Sequence, residues 1–466
     1  MTDTRAAHLC RLTVHAPGRV VDLAVPADVP VGDLLPTLAG YAGDDLEESG
    51  LEHGGWVLQR LGEPPLDPEL TLDALALRDG ETLHLLPRAE ALPEVRLDDL
   101  VDGISSTLTR QPHGWSPDAG RRLLNGLATA TLLLGLVLIA LPGGPAGRRA
   151  LAAAVAGLLI AAGAGVASRA VGDGAAAATL GLMAGPYLAL AGWLVPGGEL
   201  AGPDGHEVLG ARLLAASAAA AGGSVLTLAA VGVRPALFLG SAIVALAGAL
   251  GAVLMTTAAL RPAQAAAVVA VVFVLFGGFV PSLSFRFSGM RMPPLPGNAQ
   301  QLQEGIGPYP AADVRERAIV ADGWMTALFA AVGTVGLVCL TALSLAGTLA
   351  ATLTAAVLAL LLLLHGRGLG NVWQRLALTG AGAAGAALLL LAAAVRISST
   401  DRLVLLAGLL ATAAVIAIAS WTVPGRRLVP YWGRAAELLH STAAIAVLPL
   451  ALWTLGVYDF LRSLNG

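Results

Sequence analysis

Few side chains in this sequence have the chemistry of an active or transport site, and two of those few lie close together near its end. Glu437 and His440 are three residues apart, so on a helix they share one face. Such a pair inside a membrane can relay protons, form a structural hydrogen bond or contact a neighbouring subunit. We favour the structural and subunit-contact roles. His365 ends another predicted helix and is expected at the interface.

Sequence motifs of common enzymes are absent. His206 and Glu207 lack the second histidine of a zinc-protease helix, and no GxSxG, CxxC or phosphate-cradling loop occurs. All 28 basic residues are arginine, which excludes a nucleotide-binding or Schiff-base lysine. Cys10 and Cys339 lie too far apart in sequence to suggest a disulfide framework or metal cluster. We therefore predict a protein that is not an enzyme and uses no cofactor or metal.

The composition is that of a membrane protein. Of the 466 residues 56% are hydrophobic and 13% charged, about half the charged share of soluble domains. The stretch 123–141 has no charge, and about 20 helical residues cross a bilayer core. The net charge of −4 and the lack of a basic tract argue against nucleic acid. No continuous apolar run begins the chain, so no cleaved signal peptide is expected.

Eleven apolar segments of membrane-spanning length follow one another, and eleven do not divide into two equal inverted halves. We predict helices at 122–142, 149–169, 174–195, 209–231, 235–257, 262–281, 323–344, 347–365, 374–395, 402–423 and 435–458. With the N-terminus inside, fourteen arginines flank the inner ends and seven the outer ends. This bias predicts a cytoplasmic N-terminus and, for an odd number of helices, an extracytoplasmic C-terminus.

The first 88 residues predict a separate cytoplasmic α+β domain. Alternating segments at 8–15 and 20–25 form a hairpin, a helix follows at 31–46, and strands at 56–61 and 83–86 complete the fold. This order is that of a β-grasp, ubiquitin-like domain. No diglycine tail follows, so we favour a docking module over one that conjugates to other proteins. The alternative is a small domain that only stabilises the terminus.

Two polar segments are candidates for contacts. The linker 89–120 contains a possible amphipathic helix at 95–110, with Trp115 as an interfacial anchor, although a solvated spacer explains it equally well. The predicted cytoplasmic loop 282–322 contains a PPLP run at Pro293–Pro296 and a charged stretch at 313–317. A loop of this length is usually functional or disordered, and we favour partner contact.

Small residues recur along the predicted helices. Gly181 and Gly185 form one such pair; the others are Gly157 with Ala161 and Gly165, and the stretch from Gly240 to Gly251. Small residues let helix backbones approach closely. Together they predict a tightly packed bundle that is able to self-associate.

Three stretches resemble the EccD family, the polytopic subunit of actinobacterial type VII (ESX) secretion systems. They are LCRLTVHAPGRVVDLAVPADVPVGDLLPTL in the head, RERAIVADGWMTAL after the long loop, and PYWGRAAELLHSTAAIAVLPLALWTLGVY near the end. The last stretch is the most distinctive. The resemblance covers the whole chain, and it implies a structural membrane subunit rather than a catalyst.

The resemblance also implies partners. Family members pair into dimers with a lipid-facing vestibule, assemble with EccB, EccE and the ATPase EccC, and export WXG100-type proteins; the head docks on the ATPase. The candidate partner or assembly contacts are Arg286, Arg291, Arg315, Arg317, Pro430, Trp432, Arg434, Glu437 and His440. Two alternatives remain: a solitary transporter of a small apolar molecule, and a receptor whose head recruits a soluble protein.

Overall fold

The computed structural model describes residues 9–17, 19–43, 55–91, 116–202, 204–290, 310–423 and 430–465. The chain divides near Pro117 into two compact units, the head and the helical bundle. The predicted amphipathic helix 95–110, Trp115, Arg291 and the PPLP run lie outside the described residues.

The described part of the head is a four-stranded sheet with one α-helix. Its elements are β1 (Leu9–Ala16), β2 (Arg19–Pro26), α1 (Val31–Ala42), β3 (Trp56–Gln59) and β4 (Glu81–Pro87). The strand order is β2-β1-β4-β3, with β1 and β4 parallel in the centre and antiparallel pairs at both edges. This topology confirms the predicted β-grasp, ubiquitin-like fold.

Alternation along the strands builds the head core. Leu12 and Val14 of β1 and Leu83 of β4 are buried on the face that α1 covers, where Val31 and Leu38 pack against them. The predicted helix 31–46 is too long, because α1 ends at Ala42. The residue after it, a glycine, has an extended backbone, and glycine lowers the stability of a helix.

Eleven described helices are long and apolar enough to cross a membrane, as predicted. They are α2 (Pro117–Ala140), α3 (Ala146–Val166), α4 (Gly174–Leu194), α5 (Gly205–Val231), α6 (Pro235–Thr257), α7 (Pro262–Phe287), α8 (Ala311–Ala346), α9 (Leu349–Arg367), α10 (Val372–Arg396), α11 (Ser399–Thr422) and α12 (Pro430–Thr454). A π-helical turn, Ala167–Val171, extends α3, and a short helix, α13 (Val457–Asn465), follows α12. The chain is a multi-pass membrane protein.

Four predicted helix boundaries were wrong. Helix α7 continues through Pro281 to Phe287 and α8 begins at Ala311, so both ends of the predicted loop 282–322 are helical. Apolar windows detect only the part of a helix that lipid covers, and these extensions are more polar. The last predicted helix, 435–458, instead starts at Pro430 and stops at Thr454, before Gly456, whose φ of 79° ends it.

Helix α8 is the centre of the bundle. It packs against α6, α7, α9 and α10, and its apolar stretch is the most buried of the eleven. Leu328, Leu340 and Leu343 of α8 are fully buried, in a core shared with Leu358 of α9 and Leu378 of α10. Helices α3, α4, α5 and α6 pack successively beside it. In contrast, α2 and α11 bury none of their described residues.

The glycines allow close helix packing at some of the predicted positions. A methyl group on Gly157 would lie 2.8 Å from Leu188 Cγ, and one on Gly181 would lie 2.7 Å from Phe238 Cε1. A methyl on Gly240 would lie 3.0 Å from the Ala327 carbonyl oxygen. Gly185 differs, because open space surrounds its Cα. Within one copy, therefore, only Gly181 of this pair mediates a close approach.

Candidate functional site

Several helix ends meet on one side of the bundle. The Arg317 guanidinium of α8 donates to the Gly289 carbonyl after α7, at 3.2 Å. The Asn371 amide, before α10, donates to the Asp322 carboxylate of α8 at 2.7 Å. We call the helix ends at 284–290, 311–326, 365–375 and 430–440 the polar end of the bundle, and all predicted contact residues that the structure describes lie there.

The first ten residues of α8 extend the polar end. Residues 311–320 are all exposed, Arg315 and Arg317 among them. Stacking of Phe287 on Trp324, with ring centroids 4.9 Å apart, fixes α7 against the base of this extension. Arg286 and Arg315 are exposed and make no side-chain hydrogen bond or ion pair with another described residue. Their donors are available to a partner.

The start of α12 presents a second exposed group. Trp432 is 68% exposed, and Arg434 and Glu437 are exposed two and five residues further on. Within the described chain the side chains of Arg434 and Glu437 have no partner. Arg367, at the end of α9, donates to the Gly433 carbonyl at 3.5 Å and links the two helices. Pro430 begins the helix.

His440 pairs across helices instead of along its own. Its Nε2 lies 3.2 Å from Nδ1 of His365 in α9, and the tautomer decides which nitrogen donates. The His365 ring also packs against Phe329 of α8, with centroids 5.4 Å apart. Glu437 faces outward while His440 is half-buried, so the two side chains do not form a hydrogen bond with each other. His365 ends a helix as predicted but faces the bundle interior.

Sequence reasoning missed a polar cluster that joins α8 to α10. Gln374 is fully buried and its amide nitrogen donates to the Asp322 carboxylate at 2.8 Å and to the Thr326 hydroxyl at 3.1 Å. Asn371 donates to the same carboxylate and also caps α10 through the Trp373 amide. The signal was present, since Asp322 lies within the stretch RERAIVADGWMTAL and Gln374 interrupts an apolar run.

Helix α12 is held along its length. The Thr354 hydroxyl of α9 lies 3.0 Å from the Thr454 hydroxyl, and Gln264 of α7 donates to the Leu455 carbonyl at 3.3 Å. Between these bonds and the histidine pair, Val447 of α12 packs in a small apolar cluster with Leu361. The stretch that carries the most distinctive resemblance is therefore fixed to the bundle at its far end and middle, and exposed at its start.

The head has one cluster of paired charges. Arg60 Nε contacts Glu81 Oε1 at 2.5 Å, and a second guanidinium nitrogen bonds Glu63 at 3.1 Å. The Arg78 amide donates to the other Glu81 oxygen at 2.9 Å. Burial raises the pKa of Glu81, but the bonds from Arg60 and Arg78 outweigh it and hold the pKa below its ordinary value. Burial also raises the pKa of the Cys10 thiol.

The polar end presents groups that are suited to binding a partner. Among the described residues no three His, Cys, Asp or Glu side chains are placed to hold a metal ion. Both cysteines are buried and free. What the site presents is exposed arginines, an aromatic side chain and a carboxylate on rigid helix ends, groups that are common in protein interfaces.

Comparisons with known proteins cover both units. Residues 120–464 match the model of the EccD-like transmembrane domain, and residues 9–85 match that of YukD of the WXG100 protein secretion system. The chain is 31% identical to the ESX-4 secretion system protein eccD4 of two Mycobacterium tuberculosis strains, CDC 1551 / Oshkosh and H37Rv, over 98% of each chain.

Solved structures share the fold. One is protomer 1 of the ESX-3 core complex, with a TM-score of 0.56, 21% identity and coverage of 97% of this chain and all of that one. Another is the MycP5-free ESX-5 inner membrane complex, State II, with a TM-score of 0.58, 20% identity and coverage of 89% and 99%. With the transmembrane family model matched over most of the chain, and a relative matched over almost all of it, the chain belongs to the EccD family.

Proposed function

We propose that this chain is a non-catalytic structural membrane subunit of a type VII secretion complex. The observation that carries the proposal is that both units, the ubiquitin-like head and the eleven-helix bundle, match secretion-system proteins, in a single chain that aligns with a relative over 98% of both. The absence of lysine agrees with this role. A chain without a nucleotide-binding lysine would need a nucleotide-hydrolysing partner to supply the energy for export.

The head is proposed to dock the secretion ATPase, EccC, in the cytoplasm. Its own sheet and core make it a compact unit that can present a fixed surface. The polar end is proposed to contact EccB, EccE or the same ATPase through its exposed arginines. The arginine bias supports a cytoplasmic position for the contact surfaces of both units, with the C-terminus extracytoplasmic. Substrates of the WXG100 type would bind the complex through its other subunits and contact this chain only indirectly.

Pairing with a second copy is the other proposed contact. Helices α2 and α11 bury none of their described residues within the chain, so their faces are available to lipid or to another subunit. The polar pair that the transporter alternative requires is not formed among the described residues, since Glu437 is exposed and His440 pairs with His365.

Head docking is tested by deleting residues 1–88. The full-length and shortened chains are expressed with EccB, EccC and EccE, extracted in mild detergent and purified through this subunit. We expect the shortened chain to recover less ATPase while EccB and EccE are retained. Equal recovery of the ATPase without the head would show that docking lies elsewhere.

Contact at the polar end is tested by changing Arg315 and Arg317 together to alanine. Both are exposed and the pair gives up one surface hydrogen bond, from Arg317 to the Gly289 carbonyl, so the bundle should fold normally while recovery of the partner subunits falls. Arg148→Ala is the matched control, because it removes an exposed arginine at the predicted opposite side of the membrane. If both variants recover the same complex as the unchanged chain, the α8 extension is not a contact surface.

A further inference from the structure

An elongated groove runs through one copy of the helical bundle. It has a volume of about 700 Å³ and is lined by α4, α5, α6, α7 and α8. Its lining on α8 extends from Ala327 to Ala342, and on α5 from Leu209 to Ser224. Fifteen helical residues rise about 22 Å, so the groove follows most of the roughly 30 Å hydrocarbon core.

The lining offers little to a polar ligand. Its side chains are mainly Ala, Leu, Val and Gly, with four hydroxyls. Three hydroxyls are satisfied within the bundle: Ser224 donates to Ala220, Ser241 to Phe238 and Thr334 to Ala330, each through a carbonyl oxygen. Ser217 is the fourth and is almost fully buried. Because only one hydroxyl in the groove lacks a partner, a polar ligand would leave most of its own polar groups unpaired there. The groove therefore favours an apolar occupant.

The groove opens sideways toward lipid. On α8, Ala330, Thr334 and Val338 form one stripe at four-residue spacing, and all three line the groove and are exposed. On α4, Pro186 is an exposed lining residue. The opening therefore lies along the membrane-spanning part of the helices, where the molecules that can enter are those of the bilayer.

The dimensions distinguish between two apolar occupants. A volume of about 700 Å³ over about 22 Å leaves a mean cross-section of roughly 30 Å². That volume counts the positions open to the centre of a water molecule, and on the same measure a helix 10–12 Å across would need roughly 40–65 Å², after about 1.4 Å is removed on each side. The groove is too narrow for a helix but wide enough for a hydrocarbon chain.

We propose that this groove binds one acyl chain of a bilayer phospholipid in each copy of the protein. The site is formed by a single copy and does not depend on a neighbouring subunit. Gly185 keeps it open, because a side chain there would project into free space inside the groove. On the facing stripe of α8, Ala330 and Thr334 have small side chains that leave the same space unfilled. Protein interiors are normally close-packed, so a space of this size is unusual.

The first test identifies the occupant by crosslinking. Val338→benzoylphenylalanine places a photoreactive group in the mouth, and Leu410→benzoylphenylalanine places one on the exposed face of α11. Each protein is reconstituted in vesicles of phosphatidylglycerol and phosphatidylethanolamine, extracted in mild detergent, exchanged into fresh detergent and irradiated. We expect about tenfold more phospholipid adduct at position 338 by intact mass, a ratio equivalent to about 1.4 kcal/mol.

The second test closes the groove. In the position-338 background, Gly185→Leu should reduce the adduct to the level found at position 410. Gly222→Leu is the control, since Gly222 is also an open glycine in a membrane helix but does not line the groove. It should leave the adduct unchanged.

Three results would overturn the proposal. They are equal adduct at positions 338 and 410, crosslinking of position 338 to a protein segment, and an adduct that survives Gly185→Leu. If Gly185→Leu fails to give a monodisperse protein, the comparison of positions 338 and 410 in the otherwise unchanged chain still decides the question.

Discussion

The closest backbone contact of α8 gives the sharpest prediction about the bundle. A methyl group added to Gly333 would overlap the Ala377 carbonyl oxygen of α10 and lie 3.0 Å from its carbon. These are backbone atoms, so no side-chain rotation can make room. Gly323, in the same helix, has open space around it. Gly333→Ala and Gly323→Ala are thus a matched pair that differs only in the contact.

The magnitude follows from two opposing effects. Replacing glycine by alanine in a helix stabilises it by about 1 kcal/mol, and this gain is common to both variants. Overpacking of a well-packed interior costs about 1–3 kcal/mol and applies only at Gly333. We therefore expect Gly333→Ala to be less stable than Gly323→Ala by about 1–3 kcal/mol. The gain in helix propensity is the same in both variants and cancels in this difference.

The free energies can be measured in mixed micelles. Each purified variant is unfolded by increasing the mole fraction of sodium dodecyl sulfate, and helix content is followed by circular dichroism with the fluorescence of the eight tryptophans as a second probe. The reasoning is refuted if the two variants have the same stability, because α8 and α10 would then be able to separate without cost.

Three further predictions concern the head and the polar cluster. The pKa of Glu81 in the folded head lies below its ordinary value of 4.5, so the ion pair with Arg60 stabilises the head above pH 4.5. We expect about 1 kcal/mol of this stability to be lost as the pH falls below 4.5. Urea denaturation of residues 1–91 at several pH values measures the loss. Leu83→Ala should lower the stability of the same fragment by about 2–5 kcal/mol. Gln374→Glu should destabilise the bundle by about 3 kcal/mol, because it places a second carboxylate in a buried site beside Asp322; dodecyl sulfate unfolding measures this.

Each of these has a control. Glu81→Gln should remove the loss on acidification, and a loss that persists in this variant would assign it to another group. Leu70→Ala, at an exposed site in the head, should change stability little; equal effects at positions 70 and 83 would contradict the core assignment. Glu437→Gln changes an exposed carboxylate and should leave the bundle unaffected, whereas neutrality of Gln374→Glu would show that position 374 admits water.

The sequence predicts best what periodicity determines. Alternation in residues 9–26 specifies the hairpin, and apolar length specifies eleven helices, since both depend on the local environment of a segment. The unbroken length of α8 was not predicted, because charged residues such as Arg315 and Glu316 lower hydropathy without lowering helix propensity.

Contacts between distant segments were harder to predict. The pairing of His440 with His365 joins residues 75 positions apart, and helical spacing along α12 pointed instead to Glu437. Spacing likewise grouped Gly185 with Gly181, although only the position of Phe238 on α6 shows which of them is packed. Which side of a helix finds a partner is a property of the assembled bundle, not of the segment.

The 36 residues of α8 have a consequence for how a partner would meet it. Upright in the membrane, with Ala346 at the far boundary of the hydrocarbon, the helix raises Arg315 about 16 Å past the near boundary, beyond a headgroup layer of about 5–8 Å. An acidic partner would then bind this arginine in bulk electrolyte, where charges are screened within about 8 Å at physiological ionic strength. Attachment at this point should weaken as salt is added, while attachment through the lipid-embedded faces should not.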